Sequence, residues 1–172
     1  MEKMPPSPYL TEQHKLVSST PIKRSLTPRR RAREYALQGI YQWLMITKSG
    51  GLPATSAIAK QLGEDPAFVK AQFELFESVF EGVCQHAEIL QTDILAFLDR
   101  PIEELSPIEL GCMMIGAYEL KYDVSTPYKV AINEAVELTK TFGGTDGHKY
   151  VNGVLDQLAQ KFRSIEIDAD NT

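Results

Sequence analysis

Apolar residues recur along this chain at three- and four-residue intervals. Ala32, Ala36, Ile40 and Trp43 form one stripe, with Leu37 and Leu44 at its flanks. Val69, Phe73, Phe76 and Phe80 form a second, and Ile89, Leu90, Ile94, Phe97 and Leu98 a third. Ile108, Cys112 and Ile115 align, with Met113, Met114 and Ala117 beside them. Ala131, Ala135, Leu138 and Phe142 follow, and Val151, Val154, Leu155, Leu158 and Phe162 close the set. This is the period of an amphipathic α-helix. No segment alternates as a half-buried strand does. A short helix over 53–62, ended by Gly63, brings the predicted total to seven.

The breaks between stripes carry their own chemistry. A capping residue followed by proline appears as Thr27-Pro28, Asp65-Pro66, Ser106-Pro107 and Thr126-Pro127. The capping oxygen satisfies an orphan amide, and proline at the first helical position forfeits no hydrogen bond. Glu109 adds the acidic member of a capping box. Gly143-Gly144 predicts the end of the sixth helix. The predicted fold is all-α. Residues 1–26, rich in Pro, Ser, Thr and Lys, read as a disordered tail, 27–163 as one helical domain, and 164–172 as a frayed acidic tail.

Charge is unevenly placed. The net charge of −5 divides into a basic head, residues 1–33, and an acidic body of about −11. Arg29, Arg30, Arg31 and Arg33 fall in the first turns of the first helix. Cations there oppose the helix dipole, at about 0.3–1 kcal/mol each. A cluster that works against folding points to an anionic partner, nucleic acid first. Arg31 lines up with Tyr35 and Gln38, a surface offering charge, a ring and an amide. The alternative is a solvated basic face. Gly143–Tyr150 is a second candidate: a helix start with Lys149 close by can hold a phosphate, or can be a tight helix–helix turn. It lacks the glycine-lysine-serine or -threonine arrangement of a P-loop.

Other chemistry is thin. His14, His86 and His148 are scattered, and Cys84 and Cys112 lack metal-ligand spacing, so no metal and no cofactor are expected. Both cysteines fall in apolar helical stripes and read as free buried thiols. No hydrolase elbow, zinc-protease or dinucleotide motif is present, and no enzyme activity is expected. No apolar run is long enough to span a membrane.

The run from Arg29 to Trp43 resembles the first helix of the bacterial transcription antitermination factors of the NusB family. Ala117–Leu120, Pro127–Leu138, Phe142-Gly143 and His148–Asp156 resemble that family's C-terminal half, in the same order. The resemblance covers residues 27–163; the middle, 48–105, matches only in helical pattern. It implies seven helices in two small bundles, and a cytoplasmic, non-enzymatic factor. Such factors bind boxA RNA of ribosomal RNA leaders together with the small-subunit ribosomal protein NusE. The pair joins the RNA polymerase elongation complex with other Nus factors, and some relatives form a homodimer. Carried over by motif, Arg29, Arg30, Arg31, Arg33, Gln38, Asp146, Lys149 and Tyr150 are the expected RNA contacts. Tyr150 is expected to stack a base, and the glycine turn and arginine helix to form one RNA surface. Tyr41, Glu109 and Tyr128 are the expected NusE-facing residues. The chain departs from the family at its long leader, at Met114, where arginine is frequent, and at Gly111-Cys112. A helical protein–protein adaptor without RNA recognition is the competing reading.

Overall fold

The computed structural model describes residues 26–172, and every regular element in it is helical. The expected tail therefore lies outside the described residues, apart from Leu26. Eight α-helices follow one another: α1 (Pro28–Lys48), α2 (Thr55–Leu62), α3 (Phe73–Gln85), α4 (Ala87–Leu95), α5 (Pro107–Tyr122), α6 (Tyr128–Phe142), α7 (Gly147–Phe162) and α8 (Ser164–Asp170). Single 3-10 turns occupy Pro66–Lys70 and Ile102–Glu104. α1 packs on α2, α3 and α5; α5, α6 and α7 pack on one another. These are the two small bundles, and α5 belongs to both.

The capping chemistry decides where α1 and α5 begin. Thr27 Oγ1 accepts from the Arg30 amide at 3.1 Å, and Ser106 Oγ from the Glu109 amide at 3.1 Å. Pro28 and Pro107 fill the first helical positions. Gly111 through Ala117 of α5 are apolar and all buried, as befits a helix enclosed by neighbours. At Gly111 a Cβ would stand 2.9 Å from Leu37 Cδ1, so the glycine admits α1 to close range.

The structure corrects three expectations. Asp65-Pro66 opens a 3-10 turn rather than a long helix: Asp65 Oδ1 accepts from the Ala67 amide at 3.0 Å, and α3 starts only at Phe73. Val69 is consequently 84% exposed, and Phe68 takes the inward place, edge-on to Tyr35 and Phe76. Thr126 does not cap α6. Its hydroxyl donates to Asp123 Oδ2 at 2.8 Å instead. Gly143 does end α6, in extended backbone, its amide donating to Thr139 O. The acidic segment after Phe162 is no frayed tail: Ser164–Asp170 are the eighth helix, with Ile167 buried.

Arg163 makes that eighth helix part of the fold. Its Nε donates to Leu120 O at 2.8 Å. Its Nη2 donates to the carbonyls of Glu119, Asp123 and Thr126 at 3.0, 2.8 and 3.0 Å. These include orphan acceptors at the C-terminus of α5, where a cation also complements the dipole. Glu166 holds Arg163 from the other side and accepts from the Tyr128 amide at 3.0 Å. Cys84 and Cys112 are free and buried, as expected, and burial pushes both thiols up to about 12.

Candidate nucleic-acid interface

The four arginines of α1 meet four different fates. Arg29 is exposed and Arg31 half-buried beside Glu34. Arg30 remains 37% exposed while its Nε donates to Glu134 Oε1 of α6 at 3.3 Å. Arg33 is 2% exposed. It forks onto Glu119 of α5, Nε to Oε1 at 2.8 Å and Nη2 to Oε2 at 3.3 Å, with Glu134 Oε2 at 4.0 Å. Arg33 therefore has no surface to offer a ligand, which corrects its expected place among the RNA contacts. The reason is that α1 is covered on two sides, by α3 and by α5. Its buried arc, Ala32, Arg33, Ala36, Leu37 and Ile40, is wider than one stripe. Burial pushes the Glu119 carboxyl above its ordinary range, and the Arg33 fork opposes that shift.

A groove runs between α1 and α6, lined by Leu26, Arg30, Glu34, Glu134, Glu137 and Leu138. With Thr141, its lining holds three carboxylates against one guanidinium. Burial pushes the Glu34 carboxyl up, with Arg31 and then Arg30 opposing. Gln38, half-buried, lies one turn beyond Glu34 on α1. The glycine turn begins where α6 ends at Phe142, two turns or about 12 Å beyond Glu134. The arginines and the glycine turn thus flank an acidic groove rather than forming one unbroken cationic surface.

The second patch gathers at the start of α7. Asp146 makes no side-chain cap there, and its Oδ1 stands 3.6 Å from Lys149 Nζ, both side chains well exposed. Tyr150 is half-buried against the core. Its hydroxyl donates to Asp99 Oδ1 at 2.8 Å and accepts from the Asp99 amide at 3.2 Å. The Arg100 guanidinium lies over the ring, 4.4 Å from its centroid. The Tyr150 hydroxyl, then Arg100, hold the Asp99 carboxyl below its ordinary range. Sequence reasoning missed Asp99 and Arg100. They stand between helices, outside any stripe, and nothing local ties them to a tyrosine 51 residues away.

The expected partner-facing residues do not share a face. Tyr41 is buried on α1. Glu109, half-buried, opens α5, and its Oε1 is 2.9 Å from where a Gly147 Cβ would be. Tyr128, half-buried, opens α6 beside α8. Glu109 and Tyr128 are at opposite ends of α5, on the order of 20 Å apart. Among the described residues no three His, Cys, Asp or Glu side chains cluster as metal ligands, and no helix is long and apolar enough to cross a membrane.

Known proteins share both this architecture and its sequence. A T. maritima NusB crystal structure superposes with a TM-score of 0.67 at 24% identity, over 79% of this chain and 93% of that one, which establishes the fold. Proteins named transcription antitermination protein NusB are far nearer in sequence. The one from Azoarcus sp. (strain BH72) is 51% identical over 82% of this chain and 88% of its own length. That from Bordetella pertussis is 50% identical over 82% and 91%, and that from Ralstonia nicotianae 46% identical over 88% and 96%. The sequence profile of the NusB family matches residues 30–160. With that match and half of its aligned residues shared with such relatives, the chain belongs to the NusB family.

Proposed function

We propose that this chain is a transcription antitermination factor, a regulatory protein rather than an enzyme. It binds boxA-type single-stranded RNA of ribosomal RNA transcripts together with NusE, and so keeps RNA polymerase elongating alongside other Nus factors. The observation that carries this reading is the run Arg29–Arg31 at the head of an acidic body, in a chain whose relatives carry that name. Arg29, Arg30 and Arg31 supply phosphate contacts on one side of the groove, and Lys149 on the other, with Gln38, Asp146 and Tyr150 aligning the strand. Arg33 acts from inside, fixing α1 on α5. Tyr41 and Glu109 serve the NusE side through the α1–α5 contact, and Tyr128 from the far end of α5. Because the acidic groove divides the cationic area, affinity for RNA alone is modest, and a partner that adds contact area raises it by linkage.

The test is anisotropy with boxA RNA and a scrambled control, with and without NusE. About four neutralised phosphates give a log–log salt slope of roughly −3 on single-stranded RNA. Binding that ignores both salt and sequence overturns the reading. The internal pairing of Arg30 and Arg33 favours the adaptor alternative. R29A/R31A separates the two: RNA binding collapses if the patch reads phosphates and is unchanged if it does not.

A further inference from the structure

Tyr150 cannot receive a base on a bare ring. One side packs on the core, and the Arg100 guanidinium already lies over the ring. That guanidinium is not loosely placed. Its Nε donates to Asp99 Oδ1 at 3.1 Å, and the same carboxylate oxygen accepts from the Tyr150 hydroxyl at 2.8 Å. Asp99 therefore clamps the ring and the guanidinium together, with its own amide donating to the tyrosine oxygen. The Arg100 side chain is nevertheless 44% exposed, so part of the guanidinium remains open to solvent. Lys149, one residue before Tyr150, is exposed, with its Nζ 3.6 Å from Asp146 Oδ1.

A flat, delocalised cation fixed on an aromatic ring suits one class of ligand. Unpaired nucleobases stack on arginine planes as they do on aromatic rings, and their flanking phosphates take the spare donors. We propose that the outer face of Arg100 is the stacking surface for one unpaired base of the bound RNA, with Asp99 as its positioning residue. This rests on the RNA-binding reading above and assigns the base-stacking role to the Arg100–Tyr150 pair rather than to Tyr150 alone.

The test uses the full-length protein and boxA RNA carrying 2-aminopurine at each unpaired position in turn. R100K keeps the charge but loses the plane. It is expected to weaken binding about tenfold, nearly as far as R100A, with its salt slope unchanged while that of R100A becomes shallower. Fluorescence quenching at one position disappears in both variants. D99A gives the sharper contrast. If Asp99 were only a nearby anion, removing it would tighten RNA binding; as a clamp its loss weakens binding and restores fluorescence at the same position. Wild-type affinity in R100K, or tighter binding in D99A, overturns the proposal while leaving the RNA-binding reading intact. A wild-type protein that does not prefer boxA over the scrambled control overturns both.

Discussion

Arg33 and Glu119 illustrate how one pair can be expensive to break and cheap to replace. Both side chains are essentially enclosed, 2% and 0% exposed, and joined by two hydrogen bonds. R33A leaves the fully buried Glu119 carboxylate without its fork and should cost about 3–5 kcal/mol. An apolar pair of similar volume, R33M/E119L, should recover most of that loss. Urea titration with an unchanged m-value checks both, and RNA affinity of the folded R33M/E119L protein should stay near wild type. The arginine run was legible in the sequence, but its division was not. The stripe Ala32, Ala36 and Ile40 marks only part of the buried arc, and Arg33 lies in the rest of it. The deciding partner, Glu119, sits 86 residues away as the one acid on an otherwise apolar stretch. A lone glutamate in such a stretch was the available hint.

Elements follow the same logic of partners supplied at a distance. The proline-marked starts of α1 and α5 were readable because the capping bonds lie within three residues. Thr126-Pro127 looked identical, yet its hydroxyl turned back to Asp123 while Arg163 took its carbonyl. The helix α8 was hidden for a related reason. Its sequence is acidic, Ile165 is 86% exposed, and only Ile167 turns inward. What orders it is Arg163, whose four carbonyl acceptors belong to the end of α5 and the loop beyond. R163A should therefore cost about 3 kcal/mol, since bonds to a charged donor are stronger and the freed carbonyls are left buried. Its chemical-denaturation midpoint should fall well below that of R29A, which changes only an exposed side chain.

For the whole molecule, the proposed RNA path runs from Arg29–Arg31 across the carboxylates of the groove to Lys149. Glu34 lies in that groove with its carboxyl already pushed up by burial, against the pull of Arg31 and Arg30. A phosphate laid across the groove pushes it further up, so binding takes up a proton. Affinity should rise as pH falls toward that carboxyl's titration, and E34Q should bind more tightly at neutral pH and lose this dependence. Anisotropy titrations across pH 5–8 (roughly, within the stable range of most folds) decide it; an unchanged profile in E34Q removes Glu34 from the path. Charge placement and the glycine turn marked the two patches in the sequence. They did not show the groove, because Glu34 and Glu134 are a hundred residues apart and become neighbours only when α1 lies on α6.

The sheathing of α5 has one last consequence. A rod shared by two half-structures leaves neither with a complete interior of its own. Melting should be a single event, with amide deuterium uptake slowest at Cys112–Ala117 and no slower plateau confined to either half. Severing the chain between Leu98 and Ser106 should yield two fragments that stay unstructured apart and regain order only when mixed.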